Sequence, residues 1–547
     1  MIGSTQRYQL WPQMVFVFVA SSLGLTYLSL FLLYEGDISL ALKAIVSGDL
    51  VCSSAIAFST IMGVFIAYKL LYVAGGRELV VHLSGAQRLS GKRAKVHARK
   101  ELRRKASSDS MGKGINIHPD IQILMRQELG NLLVYGQQGS GKSTIIKPII
   151  KSVRQRRDKV FIYDRKNEYT SLFFDKDSVL ISPFDMRSAQ WDLGKDVKTE
   201  QDAFQIAQCL IEETDDPLWS TGARLLLTGY LMILLNVMGE CTWRSLAGLL
   251  SKPENEMLAM LQTHYPQAAV FISQNSKTSQ GFLVTLMKEL HWLRDLREVW
   301  RPNASNRFSI KEWAEDKSLM PKTLIIAHDE SSSELSSKIC NAMFSMMVRH
   351  TLALNDSDDR RIWFCLDELS SLTKNDSLEK WLRLGRSKGA RTIVGVQAIS
   401  QIRSVYGADV TETILSLFGN IIALRMGASG DSAKVASAGF GEHQVERQLV
   451  SFDNTGRRSI SSQVNYEPIV RADDLVCLEH SSTGVYGYLS IQGWAAVYKM
   501  KWPFIEFQTV AEPVVKPKNM EGKNPNKKKK PDGKIEVIRN RLRRVKQ

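Results

Sequence analysis

The sequence is poor in the residues that build disulfide scaffolds and zinc centres. Its 547 residues include only six cysteines and nine histidines. No two cysteines form a C-x-x-C pair, and the histidines show no H-E-x-x-H spacing. This pattern argues against a disulfide framework or a zinc site, and it indicates reduced thiols in the cytoplasm.

Apolar residues are nearly absent from the C-terminal tail, which is strongly basic. The whole chain has a formal net charge of +16, and residues 516–547 contain thirteen Lys or Arg against three acidic residues, a net charge of +10. We therefore predict a basic disordered tail at 513–547. It would attract nucleic acid or lipid, act as a docking arm, or only add solubility.

Charge is also missing from two long runs near the N-terminus. Residues 14–34 are uncharged and flanked by Trp11 and Tyr34, and 51–68 form a second uncharged run. Both are long enough to span a bilayer, so 1–75 is predicted to be a transmembrane hairpin anchor. A cleavable signal peptide is the alternative for the first run, but the run exceeds the usual apolar core of about 7 to 15 residues.

The charges beside these runs predict their orientation. The loop between them is acidic on balance, whereas Arg77 to Lys105 contains ten basic residues against two acidic ones. The positive-inside rule then places both termini in the cytoplasm, and 76–113 is predicted to be a basic juxtamembrane linker. Its densest part, 91–105, is interpreted as a topology signal in contact with anionic lipid, with a nucleic-acid patch as the alternative.

A glycine-rich motif at 136–143 matches G-x-x-x-x-G-K-[ST] in full. Such a loop wraps backbone N–H groups around phosphates, while Lys142 reaches the β and γ oxygens and the Ser143 hydroxyl binds Mg²⁺. The predicted ATP-binding residues are Gly136, Gln137, Gln138, Gly139, Ser140, Gly141, Lys142, Ser143 and Thr144.

The context of this motif supports the prediction. An apolar strand at 131–135 precedes it, and a helical pattern at 143–153 follows. Pro148 is expected to end or kink the first turns of that helix.

A second strand, 362–366, ends in two carboxylates, Asp367 and Glu368. Asp367 is predicted to hold Mg²⁺ together with Ser143, and Glu368 to act as the general base for attacking water. The alternative is an N-capping Asp followed by a first-turn Glu. Two adjacent carboxylates favour hydrolysis, because a simple switch needs the metal ligand but not the base.

The next strand, 391–396, ends in Gln397, a candidate γ-phosphate sensor or a buried structural amide. Arg383, Arg386 and Arg391 lie between the two strands. One of them could reach a neighbouring subunit's nucleotide as an arginine finger, although spacing alone favours a solvated helix face for each.

Apolar strands separated by helical patterns predict an α/β fold with a parallel sheet covered on both faces, a RecA-like P-loop core. We assign this nucleotide-binding domain to 114–191 and 311–512. Helical periodicity between these parts, including a capping box at 199–202, predicts an inserted all-α domain at 192–310. Leu225 to Met238 is expected to be a helix buried in that domain.

These features together resemble the TraD-type coupling proteins of type IV secretion and conjugation. The segments that carry the resemblance are YGQQGSGKS, ISPFDMRSAQWD, DDPLWSTGAR, FCLDELSSL, LGRSKGARTIVGVQAISQIRSVYG and RADDLVCLEH. Such proteins are similar to FtsK-type DNA pumps and act as hexameric ATPases at the bacterial inner membrane.

The resemblance implies that Lys142, Ser143, Asp367 and Glu368 form the ATP site. It also implies that Arg386 is the finger acting in trans and that Gln397 is the sensor. One departure is Asn167, where many members have glycine, and it leaves the role of Asp164 open.

The expected function is a DNA-translocating ATPase that recruits relaxase-bound DNA, and possibly protein effectors, into a secretion channel. Its grip on DNA would use phosphate contacts without reading sequence. One alternative is a receptor for protein export switched by nucleotide. Another is a chromosomal translocase of the FtsK or HerA class, which would not depend on a secretion apparatus.

Overall fold

The computed structural model describes residues 4–34, 36–67, 80–107, 111–272, 276–300, 306–315, 321–372, 374–452 and 458–516. They divide into two compact units. The first contains the residues up to 85 and 443–467, and the second contains 86–442 and the residues after 467.

The helices and strands are numbered in chain order. Up to the glycine-rich loop they are α1 (Ser4–Leu33), α2 (Ile38–Ser47), α3 (Leu50–Ala67), β1 (Val80–Ser84), β2 (Gln87–Ser90), α4 (Gly91–Ala106), β3 (Lys113–His118), β4 (Ile121–Leu124), α5 (Met125–Glu128) and β5 (Leu132–Tyr135). From that loop to the second carboxylate strand they are α6 (Lys142–Gln155), β6 (Lys159–Asp164), α7 (Glu168–Phe173), β7 (Ser178–Ile181), β8 (Gln190–Trp191), α8 (Leu193–Asp196), α9 (Glu200–Leu210), α10 (Pro217–Asn236), α11 (Trp243–Leu250), α12 (Glu254–His264), α13 (Pro266–Ala269), α14 (Lys277–Leu290), α15 (Leu293–Val299), β9 (Arg307–Phe308), α16 (Ile310–Glu315), β10 (Thr323–Ala327), α17 (Ser333–Leu352) and β11 (Ile362–Leu366). The remainder are α18 (Asp376–Leu384), β12 (Ala390–Val396), α19 (Ile399–Tyr406), α20 (Ala408–Ser416), β13 (Asn420–Ala423), α21 (Ser432–Ala438), β14 (Glu442–Phe452), β15 (Arg458–Pro468), α22 (Ala472–Val476), β16 (His480–Ser481), β17 (Gly484–Ser490) and β18 (Ala496–Pro503).

In the first unit, α1 and α3 pack closely through small residues. A Cβ on Gly63 would lie 2.0 Å from the hydroxyl oxygen of Ser22, and the hydroxyls of Ser29 and Ser59 are 3.3 Å apart. Small side chains let helix backbones approach in this way, and they are enriched where apolar helices associate in a bilayer.

The two predicted spans correspond to α1 and α3. Phe16–Leu33 has a mean hydropathy of 2.0 and is long and apolar enough to cross a membrane. Helices α2 and α3 meet that test as a pair that bends by 96°. The number of spans therefore stays a prediction, and the part of the second run after residue 67 lies outside the described residues.

A three-stranded sheet, in the order β1-β14-β15, completes the first unit. This differs from the predicted boundaries, which placed β14 and β15 in the nucleotide-binding domain of 311–512. The hairpin is long and mostly polar, and no local pattern reveals that its partner is β1, about 360 residues away in the chain.

The second unit is built on an 11-stranded sheet with the order β2-β18-β17-β13-β5-β12-β11-β6-β10-β7, in which β16 also pairs with β17. The strands from β13 to β7 run parallel, and β17 pairs antiparallel with β13. Successive side chains of β5 enter different cores, with Leu133 and Tyr135 in one and Leu132 and Val134 in the other. The predicted fold class, a RecA-like P-loop core covered on both faces, is confirmed.

The strand order fixes where the functional segments meet. Strand β12 lies between β5, which precedes the glycine-rich loop, and β11, which precedes Asp367. Parallel strands end at one common edge, so the segments after β5, β12 and β11 converge there. We call this the carboxyl edge of the sheet, and we call the opposite one, where these strands begin, the amino edge.

The elements described between β8 and β9 are helices, α8 to α15, and β8 pairs in parallel with β9 at the base of this insertion. The capping box expected at 199–202 is confirmed, because Thr199 caps α9 and bonds reciprocally with Asp202. Helix α10 covers most of the expected buried helix, and 61% of Pro217–Asn236 is buried.

Two local expectations need correction. The predicted linker at 76–113 contains β2 and α4 in the second unit, and β2 extends the large sheet by pairing with β18. Helix α6 does not end near Pro148 but continues to Gln155. Proline removes only one hydrogen bond, and buried side chains from Ile145 to Val153 hold the helix on the sheet. Most of the predicted disordered tail, from 517, lies outside the described residues.

Candidate nucleotide-binding site

The glycine-rich loop joins β5 to α6 at the carboxyl edge. Gly139 and Gly141 have φ angles of +73° and +93°, a left-handed region that side chains rarely enter. A Cβ on Gly141 would also lie 2.5 Å from Cγ1 of Val485 on β17. The loop can therefore turn back and place Lys142 at the first position of α6 only with glycine at these positions.

Neighbouring strand ends support the loop. The N–H of Gly136 donates to the carbonyl of Val396 at 3.0 Å, and the N–H of Gln137 donates to Arg425 at the same distance. A Cβ on Gly136 would lie 2.2 Å from the hydroxyl of Ser140, which is buried and has no hydrogen-bond partner within the described chain. Gln138 is exposed, whereas Ser143 and Thr144 are half-buried in the first turn of α6.

Lys142 reaches across the carboxyl edge. Its Nζ donates to the carbonyl of Gly136 at 2.7 Å and lies 3.9 Å from Oε2 of Glu368. Its Cδ lies 3.5 Å from where a Cβ on Gly395 would stand, so the side chain crosses the end of β12. Burial lowers the pKa of Lys142, and the charges of Glu368 and Asp367 oppose this effect.

Asp367 and Glu368 follow β11 directly, as predicted. The buried hydroxyl of Tyr169 donates to Oδ1 of Asp367 at 3.1 Å. Glu368 accepts from the Ser370 hydroxyl at 3.1 Å, and burial raises its pKa. The two carboxylates thus face the lysine, but each keeps oxygen atoms that could accept further bonds.

Gln397 follows β12 and is half-buried between the loop and the carboxylates. Its backbone N–H donates to Oε1 of Glu368 at 3.3 Å. The structure therefore brings Lys142, Asp367, Glu368 and Gln397 together from three neighbouring strands. A role of the Gln397 side chain as a γ-phosphate sensor stays a prediction.

Arg386 is not part of this cluster. It lies in a 3-10 turn, Arg386–Lys388, that precedes β12 and so belongs to the amino edge. Its side chain is exposed and has no hydrogen bond or ion pair among the described residues. Gly389 ends this turn with a φ of +81°, and it packs so closely on the chain that a Cβ there would lie 2.0 Å from the carbonyl of Arg360. This close packing on Arg360 holds the turn in place.

The other two arginines of this segment have partners. Arg391 is fully buried, and its Nε lies 2.9 Å from Oε2 of Glu128. Arg383 is exposed and pairs with Glu379 at 3.2 Å on the same helix. Arg386 is therefore the arginine of the three that is free to meet another subunit.

The structure assigns a local role to Asp164, which the sequence left open. Its Oδ2 accepts hydrogen bonds from the N–H and hydroxyl of Thr170, at 2.6 and 2.8 Å, and this holds the start of α7 against β6. Burial raises its pKa. Asn167 has a φ of +57°, a conformation that asparagine tolerates better than other side chains, so it can replace a glycine here.

Sequence reasoning missed Tyr169 altogether. This residue lies on α7, the helix that follows β6 and that Asp164 anchors. Its hydroxyl reaches the site through Asp367. A tyrosine five residues after the end of a strand carries no motif of its own, so the signal would have been its place beside the charged cluster at 164–168.

The site has the chemistry that a nucleotide and Mg²⁺ require. The start of α6 offers backbone N–H groups, and the unpartnered Ser140 hydroxyl adds a donor. Ser143 and Asp367 supply oxygen ligands of the kind that Mg²⁺ prefers. The residues present therefore fit both groups.

Residues 116–501 match the family described as the type IV secretion-system coupling protein DNA-binding domain. The chain belongs to this family of coupling proteins. The resemblance predicted from the motifs is thereby confirmed. The coupling protein TraD of Escherichia coli K12 is 26% identical over an alignment of 397 residues that covers 69% of this chain and 54% of TraD. The chain thus spans about half the length of the curated relative that it matches.

Solved structures of another coupling protein, TrwB, share the fold. Unbound TrwBΔN70 is 23% identical, has a TM-score of 0.68, and matches 81% of this chain and 98% of its own. TrwB in complex with ADP and Mg²⁺ is 22% identical with a TM-score of 0.66, and it matches 81% of this chain and 99% of its own.

Proposed function

We propose that this coupling protein is a membrane-anchored ATPase that drives relaxase-bound DNA into a type IV secretion channel. The observation that carries the proposal is the convergence at the carboxyl edge, where the Nζ of Lys142 lies 3.9 Å from the Glu368 carboxylate. The structures of TrwB with ADP and Mg²⁺ and with a non-hydrolysable ATP analogue support the choice of nucleotide.

Each residue has a distinct role in this proposal. The backbone N–H groups of the loop and of the start of α6 that have no carbonyl partner would hold the phosphates, and Lys142 would leave the Gly136 carbonyl to bind the β and γ oxygens. Ser143 and Asp367 would hold Mg²⁺, which would supply positive charge beside the phosphates. Tyr169 donates to Oδ1 of Asp367, which leaves Oδ2 of this carboxylate available to the ion.

Glu368 acts as the general base that takes a proton from the attacking water. Burial raises its pKa, which brings the carboxylate closer to the proton affinity that a base needs near neutral pH. Gln397 lies beside it and orients the water or senses the γ-phosphate.

Hydrolysis would be coupled between subunits of a homo-hexamer. Arg386 is exposed on a fixed turn at the amino edge, so it can complete a site only on a neighbouring copy of the chain. Movement of the ring would pull DNA by its phosphates without reading sequence, and relaxase and secretion-channel proteins would be its partners. We place the hairpin in the bacterial inner membrane with both termini in the cytoplasm.

The test uses the full-length chain in lipid nanodiscs and in conjugating cells. Lys142→Ala and Asp367→Ala should abolish both ATP turnover and DNA transfer, whereas Lys380→Ala, a change at an exposed lysine, should leave both unchanged. Turnover should rise with added DNA, and the rise should fade as salt increases. Undiminished transfer by either site variant would overturn the proposal.

A nucleotide-switched receptor for protein export is the rival that this site leaves open. Glu368→Gln separates the two functions, because it removes the base but keeps the phosphate and metal ligands. If that variant binds ATP, fails to hydrolyse it and still supports export, the switch is favoured.

A further inference from the structure

Helix α4 presents a surface that the proposed ATPase does not use. We call this surface the basic face, and its residues, all exposed, are Lys92, Arg93, Val96, Arg99, Lys100, Arg103 and Arg104. The one acidic residue of the helix, Glu101, is buried and bonds to Arg104 at 2.7 Å. The exposed side of the helix therefore carries positive charge alone.

The opposite side of α4 fixes the helix to the second unit. Ala94 and Ala98 are fully buried there, and they let the helix pack closely on β4 and β18. Nδ1 of His97 lies 3.0 Å from the hydroxyl of Tyr498, and Lys95 pairs with Asp120 at 2.6 Å. Arg99 of the basic face also pairs with Asp120, at 3.5 Å, and stays exposed. The basic face is thus held in one orientation while its residues remain exposed.

We infer that the basic face docks on the anionic surface of the lipid bilayer. Clustered Lys and Arg on an amphipathic helix close to a membrane span are attracted to anionic headgroups. Helix α4 begins at Gly91, and α3, the second predicted span, ends at Ala67. The inference rests on the proposed membrane anchoring, because the bilayer must be within reach of α4.

Nucleic acid fits this face less well. Proteins that grip single strands combine positive charge with exposed aromatic rings on which bases stack. The basic face has no aromatic residue, and His97 is turned toward Tyr498. Its exposed apolar residue is the aliphatic Val96, which is 67% exposed at the centre of the face and suits contact with headgroups and acyl chains.

Photocrosslinking in the full-length chain tests the inference. The crosslinker p-benzoylphenylalanine replaces Val96, Ile61 on α3 or Val284 on α14 in separate variants. These three residues are matched, being 67%, 67% and 66% exposed. The chain is placed in nanodiscs of phosphatidylcholine, alone or with about a third phosphatidylglycerol, and lipid adducts are measured by mass spectrometry.

Position 96 should form lipid adducts in nanodiscs that contain phosphatidylglycerol, and at least about fivefold fewer adducts in nanodiscs of phosphatidylcholine alone. Few adducts should form at 1 M salt, because charges are then screened beyond about 3 Å. Adding Arg99→Glu and Arg103→Glu should cause a similar loss, while position 61 should react under all conditions and position 284 under none.

Each other outcome has a definite meaning. No adduct at position 61 would contradict the membrane anchor itself. Adducts at 61 but none at 96 would overturn the docking inference and leave the ATPase proposal intact. Adducts at 96 that are insensitive to salt and headgroup, or that form with added single-stranded DNA in place of lipid, would also overturn it.

Discussion

Both edges of the large sheet carry buried charges, but the two sets differ in how they are bonded. At the amino edge, Arg391 and Glu128 are fully buried and pair at 2.9 Å. Glu128 also accepts from Arg156 at 2.7 Å and from the N–H of Ile115 at 2.8 Å. At the carboxyl edge, Lys142 makes one hydrogen bond to a loop carbonyl and approaches Glu368 only to 3.9 Å.

The difference separates structural charges from functional ones. A buried charge is costly unless other groups in the fold satisfy it. At the amino edge, Glu128 and the Nε and Nη1 of Arg391 find partners in the fold, and only Nη2 of this arginine has none. The carboxyl edge leaves donors and acceptors available, which suits a site that binds a charged ligand. Arg386 tests this distinction, because it lies at the amino edge without a partner.

The largest effect expected at the amino edge is that of Arg386→Ala. An arginine finger contributes about 10³-fold or more to turnover, so the variant should lose ATPase activity while its thermal stability stays unchanged. The matched control is Arg383→Ala, which removes an exposed arginine from the same segment. Mixing the Arg386→Ala and Lys142→Ala chains should restore part of the activity, because some interfaces then combine an intact Arg386 with an intact Lys142. No recovery in mixed rings would contradict a role in trans.

Glu368→Gln should lower turnover by about 10²- to 10⁴-fold without weakening nucleotide binding. In the unaltered protein, activity should fall as the pH drops through the raised pKa of Glu368, above the ordinary range of a glutamate. The same pKa shift acts on stability with the opposite sign. A carboxyl group whose pKa is raised on folding stabilises the folded state at low pH, and this stabilisation is lost as the pH rises through the folded-state pKa. The variant should therefore unfold at a slightly higher temperature at neutral pH, and an equal or lower unfolding temperature would count against the buried base.

Glu128→Ala should destabilise the fold by about 3 to 5 kcal/mol, because it leaves Arg391 buried without its carboxylate. Chemical denaturation would measure the loss, and the turnover of the protein that remains folded should be nearly normal. Glu379→Ala breaks the exposed pair with Arg383 and should cost less than about 1 kcal/mol. A strong loss of turnover in folded Glu128→Ala would contradict the distinction between structural charges at the amino edge and functional charges at the carboxyl edge.

Tyr169→Phe should have the smallest effect. It removes one hydrogen bond to Asp367, so the Mg²⁺ concentration for half-maximal turnover should rise by about tenfold while the fold is kept. Tyr163→Phe is the control, since it removes a buried hydroxyl that bonds His328 at 3.0 Å, outside the site. Equal Mg²⁺ dependence of the two variants would show that Tyr169 does not position the metal ligand.

Much of the fold followed from local pattern. Apolar runs predicted β5, β11 and β12, and the cap at Thr199 marked the start of a helix. The hairpin β14–β15 could not be placed, because its pairing with β1 depends on residues far apart in the chain. Helix α4 looked like a linker, since its sequence is polar except for Val96, Leu102 and three alanines.

The candidate site divides in the same way. The sequence by itself determined the glycine-rich loop, Lys142 and the two carboxylates, because left-handed turns and strand-end charges are local properties with characteristic spacing. Only the tertiary structure decided that β12 lies between the two motifs, that Tyr169 bonds Asp367, and that Arg391 is buried while Arg386 is exposed. Those outcomes depend on strand order and on packing between distant segments. For this reason two arginines five residues apart, Arg386 and Arg391, have different surroundings and different roles.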